Sequence, residues 1–313
     1  MHLVAQLIEP KLTILSFSHQ LLLLEISFLL HLQSSSSSCL CGMDHVAAVS
    51  DLTEKLFQTV PGHHGWEHIS RVVAYTRRAL ETESELSEDN KAAVIVAALL
   101  HDADDPKVRE VLTAFLHFFF FLLLLLSSSS DFCFSFVLFQ IFPGSPDYHN
   151  AREILRSVSF PEPLQLLVLN SIKLVSCSTQ NWANTHIPHE RWMLIPRDAD
   201  RLDAVGAQGV KRCLEYGGAA RALYAADTPL PVNKDDILQF ATQERFEKYK
   251  AGAKSASTLD HFYDKLLHLR CADSGNRFLT EQGELAMQEM IDILHPMLAE
   301  SAREREAAKL AVA

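Results

Sequence analysis

The pair His101-Asp102 is the local feature of this sequence that most directly indicates chemistry. It follows a nearly continuous apolar run, Ala92–Leu100, and begins an acidic segment that reads HDADDPK. A charged pair that emerges from a buried helix must be solvated, paired or bound to a cation, because uncompensated buried charge is costly. The pair therefore indicates a candidate cation site.

Two further segments carry histidines and carboxylates that could complete such a site. Gly62–Val72 reads GHHGWEHISRV, and Asp198–Ala204 reads DADRLDA. One histidine, a His-Asp pair and a distant aspartate give mixed nitrogen and oxygen ligands. Such a set suits Mn²⁺, Fe²⁺, Co²⁺, Zn²⁺ or Ni²⁺ with open water positions, rather than a closed structural zinc site. Imidazole alone would not select Mg²⁺, which prefers carboxylate and water ligands.

Taken in order, the three segments resemble the H…HD…D signature of the HD-domain phosphohydrolase superfamily. The likeness is strongest to small bacterial-type HD hydrolases with the motifs GHDxxHIxRV, HDxxDxK and DADRLDA. Tyr148–Leu155, which reads YHNAREIL, resembles their YxNAxxIL segment, and Leu259–Leu267, LDHFYDKLL, resembles their LDHFxxKLL segment. The resemblance covers about residues 50–295, interrupted at 112–142.

The resemblance implies an all-α HD-domain helical bundle and four metal ligands. Those ligands are His68, His101, Asp102 and Asp200. Asp200 is assigned because the superfamily's last ligand sits two residues before the apolar position that Leu202 fills. Asp198 is the second choice and Asp203 the third; on a helix, Asp200 and Asp203 share a face that Asp198 does not.

Further roles also follow from the resemblance. Asp105 stands four residues after His101, where related nucleotidases place a carboxylate that orients or deprotonates the attacking water. His64 matches the histidine of GHD and is expected to support the site from outside the ligand set. The residues expected to hold phosphate charge are Lys107, Arg71 and Arg201.

The implied activity is hydrolysis of phosphoester or phosphoanhydride bonds, with a nucleotide losing phosphate or pyrophosphate. The expected cofactor is a divalent metal, namely Mn²⁺, Co²⁺, Mg²⁺, Fe²⁺ or Ni²⁺. Relatives often carry another histidine in an I-x-x-H-S stretch, but residues 172–176 read IKLVS, which favours a site with one metal. The alternative is a catalytically silent HD module that binds metal and nucleotide to regulate a partner. Asp105 and Lys107 favour the enzyme.

Helical patterns surround these residues. Apolar spacings of three and four predict helices over Val46–Val60 and Trp66–Leu80, and Ser87 with two following acids predicts a helix start before Ala92–Leu100. Further helices are predicted at Tyr148–Val158, Glu162–Leu174, Ala199–Tyr216, Thr258–Leu269 and Thr280–Lys309. No convincing period-2 strand and no internal repeat is present in the sequence, so we expect one all-α domain.

Two tracts, residues 1–42 and 112–142, differ from the rest. Both contain Leu- or Phe-rich runs followed by serine runs, with very few charges. Such runs are typical of translated pyrimidine-rich non-coding sequence, so we hypothesise a mistaken upstream start before Met43 and a retained intron. The alternative is a membrane-associating insertion or tether, although neither tract has the roughly 18 uninterrupted apolar residues of a span. The HD domain is thus expected over residues 43–299, followed by a helical tail at 300–313.

Composition limits the partners. The chain has 313 residues and a net charge of −11, which argues against a general nucleic-acid binder. Outside the two tracts, Cys177, Cys213 and Cys271 form neither a disulfide framework nor a thiolate zinc motif, which predicts a reducing, cytoplasmic location. The expected partner is a small phosphorylated molecule, with no nucleic acid and no membrane, and a homodimer is left open.

Overall fold

A computed structural model of the chain describes residues 42–58, 65–105, 148–175 and 189–312. Every regular element in these four segments is helical, which confirms the predicted all-α fold. The α-helices are α1 Gly42–Phe57, α2 Trp66–Leu80, α3 Glu88–Leu100, α4 His149–Ser157, α5 Glu162–Val175, α6 Ile195–Asp203, α7 Gly206–Ala220, α8 Gln243–Lys250, α9 Thr258–Asp264 and α10 Arg277–Val312. Short 3-10 helices cover Arg191–Leu194, Lys234–Phe240 and Leu266–His268.

Helix α3 lies at the centre of the bundle. The Ser87 hydroxyl accepts a hydrogen bond from the backbone N–H of Asn90, as expected of an N-cap. From Ala92 to Leu100 every residue is buried, because α3 packs against α1, α2, α5 and α6. A helix that is apolar on all faces needs such neighbours on all sides. The residues that follow α3 therefore emerge from the core of the bundle.

Helices α6 and α7 replace the single helix that the sequence predicts over Ala199–Tyr216. Gly206 adopts a φ of +67°, a conformation that glycine enters without the cost borne by other residues. A Cβ atom at Gly209 would collide with the carbonyl of Ala204. The two glycines allow the chain to break and fold back, so that Arg212 of α7 reaches Asp203 at the end of α6.

Helix α8 is absent from the predicted set. None of its residues is buried, so it lacks the apolar periodicity on which the prediction relied. Polar contacts stabilise it instead: the Thr242 hydroxyl accepts a hydrogen bond from the N–H of Arg245, and Lys248 pairs with Glu244 one turn away. The Arg245 side chain also binds Asp260 and Asp264 of α9.

Both anomalous tracts fall outside the description, since only Gly42 of residues 1–42 and none of 112–142 belongs to the described segments. The boundaries predicted for the HD domain therefore stay predictions. Among the helices of the described segments, none combines the length and apolarity needed to cross a bilayer.

Candidate metal centre

His101 caps the C-terminal end of α3. Its Nδ1 lies 2.8 Å from the carbonyl oxygen of Ala98, one turn back on the same helix. A carbonyl only accepts hydrogen bonds, so Nδ1 carries the proton and Nε2 presents its lone pair when the ring is neutral. The end of the buried helix thus fixes which nitrogen of His101 is available as a ligand.

His68 lies in the first turn of α2, and its side chain is only 2% exposed. Its Nε2 is 3.3 Å from Nε2 of His101, and the two rings meet at 74°. Two neutral imidazoles that direct lone pairs at each other repel, so this arrangement favours a cation or a proton between them.

Two carboxylates approach the same point. Asp102 Oδ2 lies 3.6 Å from His68 Nε2, and Asp102 Oδ1 lies 3.7 Å from His101 Nε2. Asp200 Oδ1, on α6, lies 3.4 Å from His68 Nε2 and 3.9 Å from His101 Nε2. The ligand atoms of His68, His101 and Asp102 all lie within 4.8 Å of one another. The structure thus brings together all four residues expected as ligands.

The donor set fits a divalent metal. Ligands at about 2.1 Å from one ion lie about 3.0 Å apart in octahedral geometry and about 3.4 Å apart in tetrahedral geometry. The shortest separations here, 3.3 and 3.4 Å, fall in that range. Two imidazoles and two carboxylates suit Mn²⁺, Fe²⁺, Co²⁺, Ni²⁺ or Zn²⁺.

Asp198 faces away from this centre. It is fully buried, and its Oδ2 accepts a hydrogen bond of 2.7 Å from the backbone N–H of Ser274. Its Oδ1 lies 3.7 Å from Nη1 of Arg201. Burial raises the pKa of Asp198, against these hydrogen bonds and neighbouring charges. Asp198 therefore connects α6 to the segment before α10.

Asp203 lies on the other side of His68. Its Oδ2 is 2.8 Å from His68 Nδ1 and 2.6 Å from Arg212 Nη1, while its Oδ1 accepts a 2.5 Å bond from Arg71 Nε. Burial alone would raise the pKa of Asp203, but the hydrogen bonds from His68 and Arg71 hold it well below the ordinary value. With both oxygens engaged, Asp203 has no position from which to ligate an ion at His68 Nε2.

The two carboxylates of the centre also act on His101. Burial by itself would lower the pKa of this imidazole, but the charges of Asp102 and Asp200 outweigh it and raise the pKa above the ordinary value. The site therefore attracts positive charge, whether a proton or a metal ion.

The loop after the His-Asp pair is tied to α4. The carboxylate of Asp104 accepts hydrogen bonds of 2.9 and 3.1 Å from the backbone N–H groups of Asn150 and Ala151, and Asn150 Nδ2 donates to the carbonyl of Ala103. Asp105, the next residue, contributes to the raised pKa of His101 through its charge. Its carboxylate therefore lies within electrostatic reach of the centre.

The residues expected to hold phosphate have different surroundings. Arg71 binds Asp203 through Nε and Nη2. Arg201 Nη1 donates to Asp273 Oδ2 at 2.6 Å and to the carbonyl of Arg270 at 2.9 Å. Lys107, like the supporting His64, lies outside the described residues. The structure thus gives both arginines a bracing contact.

Arg212 was not among the residues selected from the sequence. It is separated from Asp203 by the turn between α6 and α7, and a continuous helix would have directed it elsewhere. The available signal was the spacing of Gly206 and Gly209, which marks a break before Arg212.

Comparisons with known proteins bear on the family and the fold. No family model matches the chain. Protein L803 of Acanthamoeba polyphaga mimivirus is 33% identical over 263 residues, which cover 78% of this chain and 93% of the relative. A crystal structure of a Lactobacillus plantarum protein has a TM-score of 0.55 and 18% identity, covering 83% of this chain and 98% of that one. That of an HD-superfamily hydrolase from Bacillus thuringiensis has a TM-score of 0.49 and 21% identity, with coverages of 83% and 98%.

Proposed function

We propose that the chain, which belongs to one family with the mimivirus protein, is a divalent-metal-dependent phosphohydrolase of the HD-domain superfamily that acts on nucleotides. One observation carries the proposal. His68 and His101 direct Nε2 at the same point, where oxygens of Asp102 and Asp200 lie 3.4–3.9 Å from these nitrogens. These four residues come from three separate elements, so their convergence is a property of the fold and not of one local motif.

Each residue of the centre has a separate task in the proposed reaction. His68, His101, Asp102 and Asp200 hold the metal, which when bound would lower the pKa of a coordinated water and polarise a phosphoryl oxygen. Asp105 accepts the proton of the attacking water. The charge of Asp105 acts on His101, which supports this role.

The proposed site holds one metal ion, of Mn²⁺, Co²⁺, Mg²⁺, Fe²⁺ or Ni²⁺. The mixed imidazole and carboxylate set supports the transition metals over Mg²⁺. At the position where relatives often have another histidine, Val175 is a buried core residue at the end of α5. An aliphatic side chain supplies no ligand, which supports a mononuclear site.

The nucleotide substrate is proposed from the resemblance of the motifs. Lys107 is the proposed contact to phosphate charge. Arg71 and Arg201 already bind carboxylates, so we assign them first to bracing the site and second to the electrostatic attraction of the phosphate.

The test measures metal binding and turnover on the same preparation. The chain is stripped of metal, loaded with Mn²⁺, Co²⁺ or Mg²⁺ in turn, and assayed for release of phosphate or pyrophosphate from a nucleotide panel. Asp102→Ala serves as the control for metal-dependent release, since it removes a carboxylate ligand. Release that requires Asp102 supports the proposal.

Metal bound by the wild-type chain without release from any nucleotide would contradict the enzymatic proposal. That result would favour the catalytically silent module. An unchanged metal content in Asp102→Ala would instead overturn the ligand assignment.

A further inference from the structure

Asp203 is a buried carboxylate on which three cationic or donor side chains converge. It ends α6 and is 1% exposed. His68 Nδ1 approaches Oδ2 at 2.8 Å, Arg212 Nη1 approaches Oδ2 at 2.6 Å, and Arg71 Nε approaches Oδ1 at 2.5 Å. Since His68 and Arg71 belong to α2 and Arg212 to α7, this one carboxylate joins three helices.

The contact with Asp203 determines which nitrogen of His68 can bind a metal. An ionised carboxylate only accepts hydrogen bonds, so His68 Nδ1 must donate its proton to Asp203 Oδ2. Nε2 then carries the lone pair and faces His101 and Asp200. Arg212 Nη1 also lies 3.4 Å from His68 Nδ1, but its 2.6 Å bond to Asp203 is much shorter and decides its direction.

The two arginines keep Asp203 available for this role. A lone carboxylate beside His68 would compete for the metal ion, because carboxylate oxygens are themselves ligands. Arg71 and Arg212 neutralise its charge and occupy both of its oxygens. Asp102 and Asp200 then supply the two negative charges that balance a divalent ion.

The two histidines are therefore oriented by unlike partners. His101 donates from Nδ1 to the neutral carbonyl of Ala98, within its own helix. His68 donates to a charged carboxylate from another helix. A carboxylate raises the basicity of the imidazole more strongly than a carbonyl does, and such partners set the orientation of metal-ligating histidines.

We propose that Asp203, held by Arg71 and Arg212, is the positioning residue that fixes the tautomer and orientation of His68 toward the metal. This inference deepens the proposed function and rests on it for the metal-dependent reaction. Asp203 touches neither the metal nor the substrate and acts through His68.

The first experiment measures Mn²⁺ affinity of the full metal-free chain by isothermal titration calorimetry. Asp203→Asn is expected to weaken Mn²⁺ binding by about 10- to 100-fold, the usual effect of removing a partner that orients a metal-ligating histidine. Asp198→Asn is the matched control, because Asp198 is also a fully buried carboxylate of α6 but faces Ser274, Arg197 and Arg201 instead of His68. Its Mn²⁺ affinity is expected to stay close to that of the wild type.

Urea unfolding of both metal-free variants measures their free energies of unfolding. It shows whether a loss of Mn²⁺ affinity comes from a loss of fold stability. Equal loss of Mn²⁺ affinity in Asp198→Asn and Asp203→Asn would overturn the proposal, as would wild-type affinity in Asp203→Asn.

A second measurement needs no variant at Asp203. Nitrogen-15 NMR of the metal-free wild-type chain reports the tautomer of each histidine, with the His68 signals assigned by their loss in His68→Gln. The proposal predicts protonated Nδ1 and unprotonated Nε2 at a pH where the ring is neutral. The opposite tautomer would overturn it even if Asp203→Asn fails to fold.

The results also distinguish this inference from the proposed function. Normal phosphate release with unchanged Mn²⁺ affinity in Asp203→Asn would refute the role of Asp203 alone. The expected loss of affinity without nucleotide hydrolysis by the wild type would refute the phosphohydrolase alone.

Discussion

Three aspartates lie within six residues of α6, and the structure gives each a different surrounding. Asp200 faces Nε2 of the two histidines, and Asp198 accepts a hydrogen bond from Ser274. Asp203 contacts the other ring nitrogen of His68, Nδ1. Helical spacing predicts that Asp200 and Asp203 share a face, but it does not tell which of them approaches Nε2 of His68. That choice depends on the position of α2 and on Arg212, which are set by packing between helices.

Asp105 provides the residue-scale prediction. Asp105→Asn is expected to lower the turnover of nucleotides by about 10²- to 10⁴-fold, because the amide cannot accept a proton from water at neutral pH. Mn²⁺ affinity should stay within a few-fold of the wild type, since the His68, His101 and Asp102 cluster is intact. Steady-state phosphate release and calorimetry on the same samples check both parts; a joint loss of turnover and metal would assign Asp105 to the ligands instead.

At the scale of elements, the end of α3 could be predicted from the sequence, whereas the end of α6 and the turn between α6 and α7 were not predicted. The apolar run Ala92–Leu100 has no polar face, so its burial and the emergence of His101 at its end follow from composition. The residues around Gly206 keep a helical pattern on both sides of the break. The extended backbone of Val205, the positive φ of Gly206 and the close approach at Gly209 separate the two helices.

Two glycines of α7 test whether this turn requires glycine: Gly209 lies in close contact with Ala204, and Gly218 faces open space. Gly209→Ala is expected to destabilise the protein by about 2 kcal/mol or more, because the new Cβ would collide with a backbone carbonyl that cannot move aside. Gly218→Ala meets no atom within 4 Å and should stabilise the helix by about 0.5–1 kcal/mol. Urea unfolding of each variant measures both changes; a neutral Gly209→Ala would show that the break does not need glycine.

Asp260 in α9 gives a prediction on pH dependence. Burial would raise its pKa, but hydrogen bonds from Thr228, Arg245 and Ser257 lower it below the ordinary value. The ionised carboxylate of Asp260 therefore stabilises the folded state fully above the ordinary aspartate pKa of about 4. This stabilisation is lost as the pH falls toward the lower pKa that Asp260 has in the folded protein.

Asp260→Asn should accordingly reduce the free energy of unfolding by about 2–3 kcal/mol at pH 7 and by less at pH 3. Urea titrations of the metal-free protein at the two pH values measure this difference. Asp264→Asn is the control, because Asp264 also pairs with Arg245, whereas the hydroxyls of Thr228 and Ser257 donate to Asp260. A deficit in Asp260→Asn that grows toward acid would contradict the assigned sign.

For the whole molecule, the all-α bundle could be predicted because long helical patterns dominate the sequence outside the two anomalous tracts. The polar contacts between distant segments could not, since Asp104 with Asn150 and Arg201 with Asp273 involve residues with no shared pattern. Such contacts depend on how the helices pack, which spacing within one helix does not specify.

Deletion of the anomalous tracts tests whether the rest of the chain folds and binds metal without them. A chain that begins at Met43 and lacks residues 112–142 is expected to keep its helical circular dichroism and to bind about as much Mn²⁺ as the full chain. The reason is that Asp104 and Asn150, on the two sides of the interruption, are joined by a hydrogen bond of 2.9 Å. Loss of the helical signal or of Mn²⁺ binding would show that the deleted residues contribute to the fold.

The bond between Asp104 and α4 also has a consequence for chain length. It joins chain positions 104 and 150, and the entropy cost of bringing two chain positions together grows only with the logarithm of the number of residues between them, about 0.6 kcal/mol for each doubling. Residues added at this point therefore have a small entropy cost compared with the stabilisation that comes from the contacts of α3 and α4. Chains with connections of very different lengths here can share the arrangement of His68, His101, Asp102 and Asp200, because the bond that joins the two segments lies beside these residues and not within the connection.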